Sequence, residues 1–469
     1  MNNSLLLYAM QGEYINKVRC IAHEIELKRN KKPAYFTHTF GCQQNESDTE
    51  KINGMLSDMG FDQTDIREEA DVIIYNTCAV REHAEQRVFG TIGSLVGLKR
   101  ERPSVVVGFC GCMMQRSEVS EELRKKYKHV NLVFGTHAIG RFPENLYNAL
   151  TTNERIFDVE DRKEKIVEDI PVKRGNDFKA WVSVMYGCNN FCSYCIVPYV
   201  RGRERSREPQ RIIDEVTSLI KEGYKDITLL GQNVNSFCND TDSEWNFAKL
   251  LRSLNDIEGD FRIRFMTSHP KDATKELIDT IAECDKICKH LHLPFQSGSD
   301  RVLELMNRRY TREKYIALVN YAKSKIPDLV LTSDVIVGFP TETEEDFKQT
   351  LSLVEEIGFQ GLYTFIYSVR NGTPAAKMEQ VDEKIKHQRF DRLCELQTNK
   401  ALEFNSKYVG KTVKVLVEGF TGEEKTNQTG RTDGNIIVNF PNCGAAPGTY
   451  KDILIEKALN WAIFGQAID

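Results

Sequence analysis

Cys188-Asn189-Asn190-Phe191-Cys192-Ser193-Tyr194-Cys195 sets three thiols at spacings of four and then three residues. A loop with that spacing can wrap three thiolates round one metal centre. A 4Fe-4S cluster has four irons, so three cysteines leave one iron without a protein ligand. That iron is open to a substrate or cofactor, whereas a four-cysteine site would only carry electrons or hold structure. Cys192-Ser-Tyr-Cys195 alone would suit a zinc knuckle or a redox pair equally well. The third cysteine and the aromatic Tyr194 make the motif far more specific. The preceding Ala180-Trp-Val-Ser-Val-Met-Tyr186 is apolar and β-prone, and Gly187 frees the backbone to turn. The metal loop therefore leaves the end of a strand.

Downstream, strand and helix patterns alternate six times. Strands read at 180–186, 226–230, 261–267, 290–295, 329–337 and 362–367, and helices near 209–222, 247–254, 275–284, 312–325, 344–357 and 383–407. Six β/α units make three quarters of an eight-unit barrel, whose site belongs at the carboxyl ends of the strands. Those ends are polar: Gly231-Gln-Asn-Val-Asn235, Ser268-His-Pro270, Gln296-Ser-Gly-Ser299 and Gly338-Phe-Pro-Thr-Glu-Thr343, with Ser333 and Asp334 inside the fifth strand. Each alone reads as a cap or turn. As a ring they can hold the amino, carboxylate and ribose groups of a polar cofactor. Arg201-Gly-Arg-Glu-Arg-Ser-Arg207 is either a solvated surface run or a phosphate clamp at the barrel mouth.

Upstream, residues 33–150 alternate short strands (35–40, 71–76, 104–109, 130–134) with helices (45–59, 82–98, 116–127, 137–150), which predicts a parallel, three-layer α/β sheet. Cys42, Cys78 and Cys112 follow the first three strands about 35 residues apart. The carboxyl ends of parallel strands share one edge, so these thiols should converge as a second three-cysteine site. Cys110 sits at the end of its strand and reads as packed. Residues 151–177 look like a linker, with the charge run Glu160-Asp-Arg-Lys-Glu-Lys165. Residues 1–32 form an extension that one amphipathic helix carrying Val18, Ile21 and Ile25 would fit.

From about residue 407 the texture changes to short strands (411–419, 436–440, 452–456 and 458–467) between Gly-rich turns. A small antiparallel barrel is expected, a shape that often binds oligonucleotides. It reads as a purely structural barrel just as well, because Lys411, Lys414 and Arg431 are scattered. The 469 residues carry a formal charge of -5, so any surface for nucleic acid must be local. Thirteen cysteines without a convincing signal peptide point to thiols and metal ligands in a cytoplasmic protein, not a disulfide framework. No apolar run approaches a membrane span.

From residue 33 onward the chain resembles the methylthiotransferases, which join a flavodoxin-like domain carrying a three-cysteine cluster, a partial-barrel radical S-adenosylmethionine domain (here 178–406) and a C-terminal TRAM barrel (407–469). The loop at Cys188 is similar to the CxxxCxΦC signature of radical S-adenosylmethionine enzymes. Asn76-Thr-Cys-Ala-Val-Arg-Glu82, Leu230-Gly-Gln-Asn-Val-Asn-Ser236, Arg262-Ile-Arg-Phe-Met-Thr-Ser-His-Pro270 and Met306-Asn-Arg-Arg-Tyr-Thr-Arg312 resemble the MiaB branch, which modifies transfer RNA.

The resemblance implies methylthiolation at C2 of N6-isopentenyl(dimethylallyl)adenosine beside the anticodon. That carbon bears an unactivated C–H bond, which no general base deprotonates usefully, so a radical must abstract the hydrogen. The resemblance further implies two 4Fe-4S clusters: one on Cys188, Cys192 and Cys195 that binds and cleaves S-adenosylmethionine, and one on Cys42, Cys78 and Cys112 that carries the sulfur as sulfide or polysulfide. A second S-adenosylmethionine would methylate that sulfur. Tyr194 would contact the cofactor's adenine, with Gln232, Ser268, Ser297 and Asp334 round the rest of it. The TRAM barrel and Arg201, Arg203, Arg205 and Arg207 would grip the anticodon stem-loop. A flavodoxin- or ferredoxin-type electron donor, a monomer and no membrane association complete the expectation. Cys238, Cys284, Cys288 and Cys394 match no motif; Cys284 and Cys288, four apart on a predicted helix, could share a metal but suit core packing better.

Two rival readings stand beside this one. A sister branch performs the same chemistry on threonylcarbamoyladenosine in transfer RNA or on an aspartate of a ribosomal protein. From a different class, the chain could be a non-catalytic iron–sulfur or zinc protein that binds RNA.

Overall fold

A computed structural model describes residues 3–79, 82–152, 154–160 and 166–468, giving only the backbone for 3–10 and 82–84. The charge run beyond Glu160, and Val80 and Arg81 of the second cysteine string, lie outside the described residues. Two units divide the chain. The first takes Met1–Gly175, Tyr186–Asn189 and Ile196–Arg205, and the second takes the remainder.

The first unit is built on six parallel strands: β1 Ala34–Phe40, β2 Asp62–Gln63, β3 Val72–Thr77, β4 Val106–Gly111, β5 Leu132–Phe134 and β6 Ile156–Asp158, in spatial order β2-β1-β3-β4-β5-β6. β3 and β4 are buried along their whole length, which explains their near-continuous apolar sequences. Ile15, Val18 and Ala22 of α1 (Asn3–Arg29), Ile52, Met55 and Leu56 of α2 (Gln43–Asp58), and Phe142 and Leu146 of α5 (Phe142–Thr151) cover one face. Val88, Ile92 and Leu95 of α3 (Glu82–Glu101) and Val119 and Leu123 of α4 (Ser117–Lys126) cover the other. These are the three expected layers. The additional edge strands β2 and β6 are too short to show a period, and β6 occupies part of the predicted linker. In α1 the buried seam runs Ile15–Val18–Ala22; Ile21 and Ile25 are only half-buried.

The second unit carries β7 Lys179–Ser183, β8 Asp226–Leu230, β9 Arg262–Phe265, β10 His290–His292, β11 Val330–Val337 and β12 Gly361–Ile366. They form two parallel runs, β9-β8-β7 and β10-β11-β12, linked by a parallel bridge between Ile263 and Ile287. The helices Pro209–Lys221, Phe247–Asn255, Lys275–Glu283, Arg312–Lys325, Glu344–Ile357 and Glu383–Ser406 lie close to their predicted bounds. Ile227, Ile263, Leu291 and Leu331 of the strands share one core with Ile212, Leu250, Ile278 and Val319 of the helices. The third of these helices ends at Glu283, so Cys284 and Cys288 do not share a helix face. Both are buried, and Cys288 donates its backbone N–H to Ile263.

A closed barrel follows, of β13 Thr412–Thr421, β14 Asn427–Thr432, β15 Ile437–Pro441, β16 Tyr450–Ala458 and β17 Ile463–Ile468. This is the small antiparallel barrel expected, with one exception: β15 and β17 pair in parallel. A ring with an odd number of strands cannot alternate direction all the way round, so at least one pair must run parallel. β14, Asn-Gln-Thr-Gly-Arg-Thr, lacks the apolar alternation that would mark it in sequence. Within this unit Arg262 donates to the carbonyl of Arg431 at 3.0 Å, and Arg264 donates to those of Thr432 at 2.8 Å and Asp433 at 2.9 Å, so the small barrel is docked on β9. No described helix is long and apolar enough to cross a membrane.

Candidate metal centres and cofactor site

In the first unit Phe40 pairs with Thr77 and Thr77 with Gly111. Cys42, Cys78 and Cys112 therefore leave three adjacent strands, spaced about 4.8 Å apart, within two residues of one rung. Cys42 caps α2, where the helix dipole favours negative charge. A hydrogen bond from Cys78 pulls the Cys42 thiol down to about 5; burial opposes this, and the Arg201 guanidinium assists. Burial pushes Cys112 up, with Arg201 opposing. Gly111, at φ +95°, is required here, since a Cβ would lie 2.3 Å from Asn76 Oδ1 and 2.4 Å from the Thr77 carbonyl. Asn76 is in turn locked to Asn45 by bonds of 2.8 and 2.9 Å. Cys110 is buried in the core, as its position at the strand end suggested.

Arg201 belongs to this centre. It is only 4% exposed, its Nε donates to Cys112 Sγ at 3.1 Å, and its Nη2 lies 3.0 Å from the carboxylate of Asp48, itself 1% exposed. This corrects the picture of an exposed four-arginine run. A desolvated guanidinium needs acceptors, and Asp48 and Cys112 provide them. Arg205 is half-buried beside His137 Nδ1, and Arg207 donates to the Ser183 carbonyl at 2.7 Å and to Glu215 at 2.8 Å. Of the four, Arg203 alone is exposed.

The Cys188 N–H donates to the Gly202 carbonyl at 3.1 Å, and Gly187 sits at φ +78°, where a Cβ would meet the Arg203 carbonyl. In the second unit the stretch through Cys192 and Cys195 is fastened along its length. The backbone N–H of Ser193 donates to the Met306 carbonyl at 3.0 Å, Ser193 Oγ to Leu305 at 2.7 Å, and Asn307 to the Phe191 carbonyl at 3.0 Å. Asn307 and Arg309 both have φ of 58°, and between them Arg308 turns inward. Arg308 is 4% exposed and donates to Cys192 Sγ at 3.5 Å and to the Pro294 carbonyl at 2.6 Å. Tyr194 packs edge-on against Phe339, and burial raises its phenol well above the ordinary value, so it stays neutral.

At the strand ends the structure separates the predicted cofactor contacts. Ser268 Oγ is buried with no hydrogen-bond partner, as are Asn233 Oδ1, His269 Nε2 and Tyr367 OH. Buried polar atoms are rarely left so, and this set, at the carboxyl ends of β8, β9 and β12, fits a polar ligand. Burial keeps His269 neutral. Ser297, by contrast, accepts at 3.3 Å the N–H of Ser299, the residue that caps the following helix. Asp334 lies 3.5 Å from His292, and Gln232 is half-buried. Asn233, His269, Arg308 and Tyr367 lie in strings that the sequence singles out, but neither their type nor their spacing marks them as contacts, and Asp48 stands in no motif. Among the described residues no three Cys, His, Asp or Glu side chains gather at single-ion spacing; a cluster distributes its three thiolates over three irons.

Residues 34–135 match Uncharacterized protein family UPF0004, residues 182–354 the Radical SAM superfamily and residues 406–468 the TRAM domain. Among solved structures, the radical S-adenosylmethionine methyltransferase TsrM from Kitasatospora setae superposes with a TM-score of 0.55 over 74% of this chain and 75% of that one, at 14% identity; the likeness is one of fold. Proteins named tRNA-2-methylthio-N(6)-dimethylallyladenosine synthase are much nearer. That of Acetivibrio thermocellus is 50% identical over 98% of this chain and 96% of its own, and that of Clostridium tetani 50% over 96% and 99%. With half of all positions shared along nearly the full length of both partners, the chain belongs to the tRNA-2-methylthio-N(6)-dimethylallyladenosine synthase family of radical S-adenosylmethionine enzymes.

Proposed function

We propose that the chain methylthiolates C2 of N6-dimethylallyladenosine beside the anticodon of transfer RNA. Two separate three-thiol sets, each with a buried arginine on one sulfur, carry this reading. Cys188, Cys192 and Cys195 would hold one 4Fe-4S cluster, and Cys42, Cys78 and Cys112 a second. When bound, these groups supply an electron to cleave S-adenosylmethionine and an iron to carry sulfide or polysulfide. Asn233, Ser268, His269 and Tyr367 present otherwise unmatched polar atoms to the amino, carboxylate and ribose groups of S-adenosylmethionine. Arg203 and the C-terminal barrel contact the RNA, where phosphate charge rewards an exposed guanidinium. Two S-adenosylmethionines per turnover, a flavodoxin- or ferredoxin-type donor and a cytoplasmic monomer complete the proposal.

The test replaces Cys42, Cys78 and Cys112 together by Ala in anaerobically reconstituted protein. Iron should fall from about eight to about four per chain, with reductive cleavage of S-adenosylmethionine retained and methylthiolation lost. Simultaneous loss of cleavage would show that the two thiol sets do not work separately. Mass spectrometry of transfer RNA from a deletion strain separates the sister branch: the methylthio group should vanish from isopentenyladenosine and persist on threonylcarbamoyladenosine.

A further inference from the structure

Arg201 and Arg308 each donate to a cysteine sulfur, and both sulfurs belong to the proposed cluster sets. Neither arginine is at the surface, and neither is held by charge alone. Arg201 is fixed between Cys112 and Asp48, and Asp48 receives a further bond from Gln44 at 3.3 Å. Arg308 is aimed by the Pro294 carbonyl and the Tyr310 hydroxyl, on a turn whose neighbours both adopt left-handed backbone. That conformation costs free energy in non-glycine residues, so placing this guanidinium has outweighed local backbone preference.

We infer that Arg201 and Arg308 are positioning residues that set the reduction potentials of the two clusters, Arg308 at the Cys188–Cys195 loop and Arg201 at the Cys42, Cys78 and Cys112 set. The inference rests on the two-cluster reading above. A hydrogen bond to a ligating thiolate withdraws electron density from iron, and a buried positive charge favours the reduced, more negative cluster; both raise the potential. The two sites are not equivalent. Arg201 shares its charge with the Asp48 carboxylate, whereas the other partners of Arg308 are neutral oxygens. Removing Arg308 should therefore lower a potential more than removing Arg201, and removing the charge of Asp48 should act in the opposite sense by releasing that of Arg201.

The experiment is a redox titration followed by electron paramagnetic resonance on reconstituted full-length protein. Each cluster is read alone in a background where the other cysteine triplet is replaced by Ala. Arg308→Gln should shift the midpoint of the Cys188–Cys195 cluster downward and leave the other unmoved. Arg201→Gln should lower the midpoint of the Cys42, Cys78 and Cys112 cluster by a smaller amount, and Asp48→Asn should raise it. Unmoved midpoints at full iron content overturn the inference. So does a rise in Arg308→Gln or a fall in Asp48→Asn. Should Arg201→Gln fail to hold iron, Asp48→Asn decides alone, by its sign. Absence of iron on the Cys42, Cys78 and Cys112 set of the unaltered protein would instead overturn the two-cluster reading, a different result from unmoved midpoints in a loaded enzyme.

Discussion

Glu342 is a carboxylate almost wholly removed from water, 2.9 Å from Arg389 and accepting the Gly338 N–H at 2.9 Å. It closes the loop that follows β11. Burial raises it to about 7 from an ordinary 4.5, with the Gly338 bond and Arg389 opposing. A carboxyl whose folded value lies above its unfolded one binds more protons when folded. Its contribution to stability is full below pH 4.5 and is lost as pH rises through about 7. Urea midpoints of Glu342→Gln should therefore be flatter with pH than those of the unaltered protein across that window; parallel profiles would refute the assignment. The placement of Cys42, Cys78 and Cys112 at the ends of adjacent strands was legible in sequence because it lies in spacing. Arg201 was not, because a sequence shows a charge without its burial, and the bland choice for Arg-Gly-Arg-Glu-Arg is solvent. Arg308 was hidden for a similar reason: left-handed backbone on both sides of it, at Asn307 and Arg309, cannot be read from Asn-Arg-Arg.

At the scale of elements, long periodic segments were read nearly to the residue, including β8 and the helices 312–325 and 344–357. Failures fell where the period is absent: β2 with two residues, β6 with three, and β14 with polar residues throughout. α1 shows how an element can be found and its face misjudged. Its buried seam is set by α5, through a reciprocal bond pair between Gln11 and Glu144 and the 5.7 Å contact of Tyr14 with Tyr147. Only the neighbour decides which of several apolar stripes goes inside. Val18 is fully buried there, so Val18→Ala should cost about 2 kcal/mol in equilibrium unfolding. The same change at the half-buried Ile25 should cost distinctly less, and equal costs would contradict the seam.

At the scale of the molecule, the overall charge of -5 concealed the RNA partner that the family names, because charge that works on RNA is local. A second large-scale feature was equally invisible. Asp226 on β8 lies 2.6 Å from Arg262 and 3.3 Å from Arg264, both on β9, and both arginines go on to bind carbonyls of the C-terminal barrel. Burial would raise Asp226, but the two guanidiniums hold it below its usual value. Replacing it with Ala strands two buried cations, so Asp226→Ala should cost 3–5 kcal/mol and be read as a lowered thermal midpoint. A change within 1 kcal/mol, the size of a surface pair, would show that the cluster is not what docks the barrel.

The parity of that small barrel also governs how the protein is made. Its ring is shut by β17 alone, which joins β15 on one side and β16 on the other. During translation β13 to β16 leave the ribosome as an open sheet with bare edges, and such edges invite association with other chains. Arg262 and Arg264, synthesised some 170 residues before the carbonyls they bind, must wait for those partners. Those partners lie on β14 and the turn after it, so the body can dock its barrel before β17 shuts the ring, and a nascent chain stalled just short of β17 should be the form that chaperones hold.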